Sequence, residues 1–132
     1  MNLKVLGRIM YVEDDPDIGS IAKIALESIG GYTVKICNSG ADAINEVDNF
    51  SPDLILLDVM MPAMDGPTTL TMLRKINKME NVPVVFVTAK AQSSEIKYFK
   101  SLGAVDVIIK PFNPLVLSDK VHDIWKAAIS NE

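Results

Sequence analysis

Two acidic segments each follow a short apolar run in the sequence. Residues 10–17 read MYVEDDPD and place Glu13, Asp14 and Asp15 after apolar residues, and residues 54–66 read LILLDVMMPAMDG and place Asp58 after four apolar residues. One aspartate at such a position is typical of a turn. Two matching acidic segments instead suggest a shared site, where carboxylates could bind a divalent cation or attack phosphorus as nucleophiles.

The elements that must position these residues alternate regularly between strand and helix. Apolar runs predict five strands, at residues 8–12, 32–37, 54–57, 84–87 and 105–109. A helical pattern follows each strand, and the predicted helices begin at Pro16, Ala41, Pro67, Ser93 or Ser94, and Pro114. This alternation predicts an α/β fold, a single domain with a parallel five-stranded sheet covered by helices on both faces.

The apolar faces of two helices can also be predicted from their spacing. The first helix is expected to pack through Ile18, Ile21, Ala22, Ala25 and Ile29, and the fifth through Leu115, Leu117, Val121, Ile124, Trp125 and Ala128. Among the other apolar residues, Cys37 is expected in the core, and Met60, Met61 and Met64 are expected to fill gaps beneath the cleft. His122 is expected to be an ordinary solvated or capped side chain.

Polar residues stand just past the carboxyl ends of four of these strands. Glu13, Asp14 and Asp15 follow the first strand, Asp58 the third, Thr88 the fourth and Lys110 the fifth. Parallel sheets of this kind bind ligands outside the carboxyl ends of their strands. If the first and third strands are neighbours, three aspartates, a hydroxyl and a lysine therefore converge in one shallow cleft.

Carboxylates held together in this way need a compensating charge. Two of them ~5 Å apart repel each other by roughly 3 kcal/mol at an effective dielectric constant of 20. Either protonation with raised pKa values or a bound divalent cation could offset this repulsion. Oxygen ligands in an open cleft suit Mg²⁺, although other divalent cations would also fit. With Mg²⁺, Thr88 and Lys110 neutralising phosphoryl oxygens, Asp58 could accept a phosphoryl group without a general base.

Composition limits the classes of protein to which the chain could belong. It has 132 residues and a formal net charge of −4, with no basic stripe, so direct nucleic-acid binding is not expected. No apolar run approaches the ~20 residues of a membrane span, and the amino terminus lacks the pattern of a signal peptide. Cys37 is the single cysteine, which fits a reducing cytoplasm.

Four segments together carry a resemblance to a known family. VEDDPD, LILLDVMMPAMDG, VVFVTAKA and VIIKPF, in this order, resemble receiver (response regulatory) domains of bacterial two-component response regulators over about residues 8–128. The resemblance implies a doubly wound (βα)5 fold with the flavodoxin-like strand order 2-1-3-4-5. It also implies a single receiver domain over residues 1–132, without an output domain.

The resemblance assigns roles to the acidic residues. Asp58 would be the phospho-acceptor, and Asp14 and Asp15 would be the acidic pair. Asp15 and the backbone carbonyl of Met60 would then be metal ligands beside Asp58, with Mg²⁺ as the cofactor. Glu13 could be a further ligand, but a solvated loop side chain or a hydrogen-bond partner is the preferred interpretation.

Two further residues of the cleft match the family, and one position departs from it. Thr88 would be the switch hydroxyl, and Lys110 would pair with the phosphoryl group. The Lys110–Pro111 bond resembles the cis peptide of these domains. The family often has Tyr or Phe three residues before the lysine, where this chain has Val107, and that substitution removes the aromatic part of the switch.

The resemblance implies a signalling role with defined partners. A histidine kinase or a histidine phosphotransfer protein would supply the phosphoryl group to Asp58. A downstream protein would bind the face formed by the fourth helix, fifth strand and fifth helix. The domain would catalyse only its own phosphorylation and dephosphorylation.

Three other functions remain as alternatives. One is a receiver-like binding module that works without phosphorylation. A haloacid dehalogenase-type phosphatase would need a second aspartate where Met60 stands, and a flavin carrier would place its phosphate against the repelling EDDPD segment.

Overall fold

The computed structural model describes residues 4–130, in which five strands alternate with five helices. The strands are β1 (Arg8–Val12), β2 (Thr33–Cys37), β3 (Leu54–Asp58), β4 (Val84–Thr88) and β5 (Asp106–Ile109). The helices are α1 (Pro16–Ile24), α2 (Gly40–Phe50), α3 (Gly66–Arg74), α4 (Ser93–Ser101) and α5 (Leu117–Ser130), and a π-helical turn, Ala25–Ile29, continues α1. No helix within residues 4–130 is long and apolar enough to cross a membrane.

The five strands form one parallel sheet in the order β2-β1-β3-β4-β5. This arrangement confirms the predicted doubly wound α/β fold. β1 lies beside β3, with Val12 in register with Leu57. The acidic residues after β1 and the aspartate that ends β3 are therefore brought to the same edge of the sheet.

The core lies on both faces of the sheet. Every residue of β3 and β4 is buried, as expected for strands covered by helices on two sides. One face packs Tyr11, Leu56 and Val85 against Trp125 of α5, and the other packs Phe86 against Phe99 of α4 with ring centroids 5.1 Å apart. Each large apolar side chain buried in this way stabilises the fold by about 1.5–3 kcal/mol, which holds the strand ends in a fixed arrangement.

Side chains cap the amino ends of three helices, α1, α2 and α3. The side chains of Asp15, Ser39 and Asp65 accept hydrogen bonds from backbone N–H groups at the starts of α1, α2 and α3. The N–H of Gly66 donates to the carbonyl of Val59 at 2.8 Å. A Cβ at position 66 would lie 2.4 Å from the backbone oxygen of Asp58, so only glycine fits this close to the end of β3.

Helix α5 and strand β5 begin later than the sequence pattern predicts. The predicted start of α5 at Pro114 is wrong, because Asn113 forms a turn instead. Its side chain accepts from the N–H of Leu115 at 2.9 Å, and its carbonyl accepts from the N–H of Val116. Leu115 is consequently 73% exposed rather than packed in the core. β5 starts at Asp106 instead of residue 105.

The packing face of α1 is narrower than predicted. Ala22 and Ala25 are buried, but Ile21 is 48% exposed and Ile29 is also exposed. Ile21 lies about 60° from Ile18 around the helix, away from Ala22. Ile29 lies within the π-helical turn, where the residue spacing differs from the α-helical period on which the prediction was based.

Helix α4 begins differently from the prediction that Ser93 or Ser94 caps it. Gln92 is the capping residue, and its backbone N–H donates to the side chain of Glu95 at 3.3 Å. This is one half of a capping box. The Lys110–Pro111 bond is cis, as predicted.

Candidate functional site

Three carboxylates come together at the carboxyl edge of the sheet. Glu13, Asp14 and Asp58 each offer an oxygen atom, and these atoms lie within 4.8 Å of one another. Glu13 is only 1% exposed and Asp58 only 3% exposed, whereas Asp14 faces solvent. Hard oxygen donors at this spacing, with one side open to water, fit a Mg²⁺ ion that keeps several of its waters.

Lys110 is the positive charge of this cluster. Its ammonium Nζ lies 3.0 Å from Oε1 of Glu13 and 3.0 Å from Oδ1 of Asp58. The backbone N–H of Lys110 donates to the carbonyl of Thr88 at 2.8 Å, which continues the β4–β5 pairing to the rim. Burial alone would lower the pKa of Lys110, but its hydrogen bonds to the two carboxylates outweigh that effect and raise it. The ammonium is therefore charged at neutral pH.

The surroundings of Glu13 raise its pKa to about 7. Burial is the largest cause, and the hydrogen-bonded Asp58 carboxyl group acts in the same direction. The hydrogen bond from Lys110 opposes both. One ammonium group does not neutralise the negative charge of two buried carboxylates. A bound proton or divalent cation therefore stabilises this site.

We expect the metal-free protein to lose stability as pH rises from about 4.5 to 7. In this window the unfolded chain has released the Glu13 proton and the folded protein has kept it, so the free energy of unfolding falls with pH. The loss attributable to Glu13 is about 3 kcal/mol at most. Urea unfolding in the presence of a chelator would measure it. Glu13→Gln should flatten the pH profile in this window, and an unchanged profile would contradict the assignment.

Asp15 does not join the carboxylate cluster. Its Oδ1 accepts from the N–H of Asp17 at 2.9 Å and so caps α1, and its own N–H donates to Oε2 of Glu13 at 3.3 Å. The chain turns into α1 directly after Asp14, which directs the side chain of Asp15 to the helix rather than the cleft. Glu13 takes the place in the cluster that the resemblance had implied for Asp15, and it is buried instead of solvated.

Mg²⁺ affinity should therefore depend on Asp14 and not on Asp15. We expect a roughly millimolar dissociation constant for the unmodified protein and an affinity about tenfold lower in Asp14→Asn, equivalent to about 1.4 kcal/mol. Asp15→Asn is the matched control, because asparagine caps a helix as well as aspartate does. Amide chemical shifts during a Mg²⁺ titration would measure both. A larger loss in Asp15→Asn would contradict this ligand set.

The loop after Asp58 carries the predicted backbone ligand. The side chain of Met60 is 69% exposed, and Met61 is buried. The expectation that all three methionines fill gaps is therefore wrong for Met60, whose side chain points away from the core. Met60 lies two residues past Asp58, in a loop held by the bond from Gly66 to Val59. Its carbonyl as a metal ligand stays a prediction.

Thr88 ends β4 at the cleft, and Val107 lies in β5 two residues below the level of Thr88. Thr88 is buried, and its Oγ1 accepts from the N–H of Lys90 at 3.1 Å. Accepting this bond leaves the hydroxyl proton free to be donated to another oxygen. Val107 is also buried, in register with Phe86. Its side chain, which lies beneath the rim, is short and branched and has no ring.

Tyr11 is a polar residue of the site that sequence reasoning missed. It is fully buried in β1, and its hydroxyl donates to Oε1 of Glu13 at 3.4 Å. Burial, followed by the negative charges of Glu13 and Asp58, raises the pKa of Tyr11, so the hydroxyl stays protonated. The available signal was the two-residue spacing of Tyr11 and Glu13, which places both side chains on one face of the sheet.

The side chains of the remaining candidate residues take no part in the carboxylate cluster. His122 is exposed on α5, as expected for a solvated side chain, and Trp125 is buried against the sheet. Cys37 is buried at the end of β2, where burial raises the pKa of its thiol to about 12. It therefore behaves as a small apolar residue.

Curated proteins with similar sequences include a DNA-binding response regulator and a transcriptional regulatory protein. The chain is 34% identical over 115 residues to the DNA-binding response regulator MtrA of Mycolicibacterium smegmatis, covering 87% of this chain and 49% of that protein. It is 34% identical over 125 residues to the transcriptional regulatory protein CpxR homolog of Haemophilus influenzae, covering 95% and 53%. The chain thus spans about half the length of these relatives.

A solved structure and a family match agree with this similarity. The CheY-like response regulator receiver domain protein of Methanospirillum hungatei superposes with a TM-score of 0.82 at 27% identity, covering 97% of this chain and 100% of that one. The response regulator receiver domain family matches residues 9–122, which include every residue of the cleft. The chain therefore belongs to the receiver domain family of two-component response regulators.

Proposed function

We propose that Asp58 accepts a phosphoryl group from a phosphohistidine of a histidine kinase or phosphotransfer protein, and that this modification controls the binding of a downstream partner. The observation that carries the proposal is the contact of 3.0 Å between Asp58 Oδ1 and Lys110 Nζ, beside Asp14 and Glu13. A nucleophilic carboxylate and a charged ammonium are thereby held at one open edge of the sheet.

The transfer needs no general base. A carboxylate oxygen of Asp58 attacks phosphorus as the P–N bond of the donor breaks. The electron pair of that bond stays on the leaving ring nitrogen, and the proton on the other ring nitrogen makes the product a neutral imidazole. The reaction therefore exchanges one phosphorus bond for another without a redox partner. Attack of water on the phosphorus of the acyl phosphate breaks its bond to the Asp58 oxygen, releases inorganic phosphate and restores the carboxylate. These two steps are the chemistry proposed for the domain.

The chain's own residues supply positioning and charge. Lys110 already contacts Asp58, so its ammonium is placed to neutralise a phosphoryl oxygen as charge develops. Thr88 can donate its hydroxyl proton to a second oxygen. Asp14, Asp58 and Glu13, with the Met60 carbonyl, would hold Mg²⁺. When bound, Mg²⁺ neutralises charge on the transferring group.

The face formed by α4, β5 and α5 is the proposed binding surface for the downstream partner. It exposes apolar side chains that are not needed in the core, namely Tyr98, Leu102, Val105, Ile109, Leu115 and Val116. Exposed apolar residues grouped on one side of a domain suit a protein interface. This face also borders Thr88 and Lys110, so a conformational change at the cleft can alter it through directly neighbouring residues.

The conformational change at this face should be centred on the loop after β4. A phosphoryl group shifts the domain between conformations only through contacts that differ between them. Thr88 would make such a contact and carry Lys90 with it, since their hydrogen bond joins them. Val107 has no ring to reorient, and its buried side chain has little χ1 freedom.

We therefore expect the largest amide shift changes at residues 89–94 when beryllofluoride and Mg²⁺ are added as a phosphoryl mimic. The comparison is the same protein with Mg²⁺ alone, which separates cation binding from the mimic. Large changes centred on Val107 and α5, with unchanged residues 89–94, would contradict this description of the switch.

Intact mass after incubation with acetyl phosphate tests the proposed function. The expected result is the gain of one phosphoryl group with Mg²⁺, a much slower gain with a chelator, and loss of the group in mild base, as an acyl phosphate requires. No gain in mass under any of these conditions would overturn the proposal and would favour a receiver-like binding module that works without phosphorylation.

A further inference from the structure

The Glu13 carboxylate is held by three donors, and one of them lies below the cleft in the core. Oε1 accepts from Lys110 at 3.0 Å and from the Tyr11 hydroxyl at 3.4 Å, and Oε2 accepts from the backbone N–H of Asp15 at 3.3 Å. These donors come from β1, from the loop after β1 and from the end of β5. Together they determine which way the carboxylate faces.

The position of Tyr11 makes its hydroxyl a specific constraint. Its ring is fully buried on the face of the sheet that packs against α1 and α5, so the side chain cannot move far. A phenol hydroxyl is costly to bury without a hydrogen bond. The carboxylate of Glu13, two residues along the same strand face, provides that bond.

We propose that Tyr11 is a positioning residue of the phosphorylation site, whose hydroxyl holds the Glu13 carboxylate in the orientation that faces the cation. The inference rests on the proposed function, because it assigns Glu13 to the Mg²⁺ site. Without the hydroxyl, Oε1 keeps only the donor from Lys110, and the carboxylate can turn toward Lys110 and Asp58. The ordered arrangement of Glu13, Asp14 and Asp58 would then form only part of the time.

The test is Tyr11→Phe, which removes one oxygen atom and keeps the buried ring. Groups that orient a metal ligand typically change metal affinity by 10–100-fold when they are removed. Because the bond from Tyr11 is long, we expect the lower end, an Mg²⁺ affinity about tenfold weaker in a titration followed by amide shifts of Asp14 and Asp58. Phosphorylation by acetyl phosphate should need about tenfold more Mg²⁺, but its rate at saturating Mg²⁺ should be unchanged.

A double-mutant cycle decides whether Tyr11 acts through Glu13. In the background of Glu13→Leu, which leaves no oxygen to accept from Tyr11, the additional change Tyr11→Phe should alter Mg²⁺ affinity by less than about twofold. Tyr32→Phe, at a half-buried position just before β2 and away from the cleft, is the matched control and should bind Mg²⁺ as the unmodified protein does.

The alternative outcomes separate this inference from the proposed function. Unchanged Mg²⁺ affinity in Tyr11→Phe overturns the role of Tyr11. An equal tenfold loss in the Glu13→Leu background also overturns it, because Tyr11 would then act by another route. A lower maximal rate together with an unchanged Mg²⁺ requirement would show a role in packing alone. Failure of the unmodified protein to bind Mg²⁺ or to be phosphorylated overturns the proposed function itself, and this inference with it.

Discussion

Asp58→Asn should abolish phosphorylation by acetyl phosphate. The amide has no negatively charged oxygen with which to attack phosphorus, although it keeps the shape of the carboxylate and can still accept a hydrogen bond from Lys110. The expected loss of rate is at least about 10³-fold, because Asp58 is the proposed nucleophile and Glu13 and Asp14 are assigned to the cation. Intact mass spectrometry measures this as the absence of the added phosphoryl group.

The fold should survive this substitution. Asp58 ends a fully buried strand, and asparagine has nearly the same volume. It also removes one of the two carboxylates that share Lys110, which lessens the repulsion within the cluster. Thermal unfolding of the variant should therefore occur at or above the temperature of the unmodified protein.

Asp48→Asn is the control, because Asp48 is an exposed residue of α2 away from the cleft. It should be phosphorylated at the normal rate. Equal labelling of Asp58→Asn and the unmodified protein would show that the acceptor is elsewhere, and peptide mapping of the base-labile group would then find it.

Lys110→Met should slow phosphorylation by about 10²-fold without abolishing it. Methionine keeps an unbranched apolar stem and removes the ammonium that contacts Asp58 and Glu13 at 3.0 Å. Loss of one preorganised electrostatic contact to a transition state typically has an effect of this size. The nucleophile remains, so slow labelling should persist and be measurable by time-resolved intact mass.

The same substitution should also separate phosphorylation from output. The ammonium would bind the phosphoryl group in the product and so hold the phosphorylated conformation of the domain. Without it, we expect labelled Lys110→Met to show much smaller amide shift changes at residues 89–94 than the labelled unmodified protein. Lys126→Met, an exposed change on α5, is the control. Normal labelling and normal shift changes in Lys110→Met would refute the assigned role.

The order of the elements, and which of their ends carry reactive side chains, could be predicted from the amino-acid sequence alone. Continuous apolar runs such as LILL and VVFV are local patterns, and so is the helix start at Pro16. The parallel strands of one sheet have their carboxyl ends at the same edge. These local patterns were therefore sufficient to predict that Asp58, Thr88 and Lys110 lie at one rim.

Local patterns were also misleading where the position of a residue depends on contacts that its spacing in the sequence does not describe. Ile21 was predicted to pack because it fits the helical spacing, yet the sheet accepts only the strip that contains Ala22 and Ala25. Pro114 was predicted to open α5, but the side chain of Asn113 bonds to Leu115 and forms a turn first. In each case the decision depends on a contact that spacing does not describe.

Which carboxylates form the cluster depends on how the chain folds in three dimensions. Glu13, Asp14 and Asp15 are consecutive acidic residues, and successive side chains in an extended segment point in different directions. The start of α1 at Pro16 engages Asp15 as its cap, and the neighbouring strands bury Glu13 between Tyr11 and Lys110. Lys110 lies 97 residues from Glu13 along the chain, so their contact exists only because β1, β3, β4 and β5 pair in one sheet.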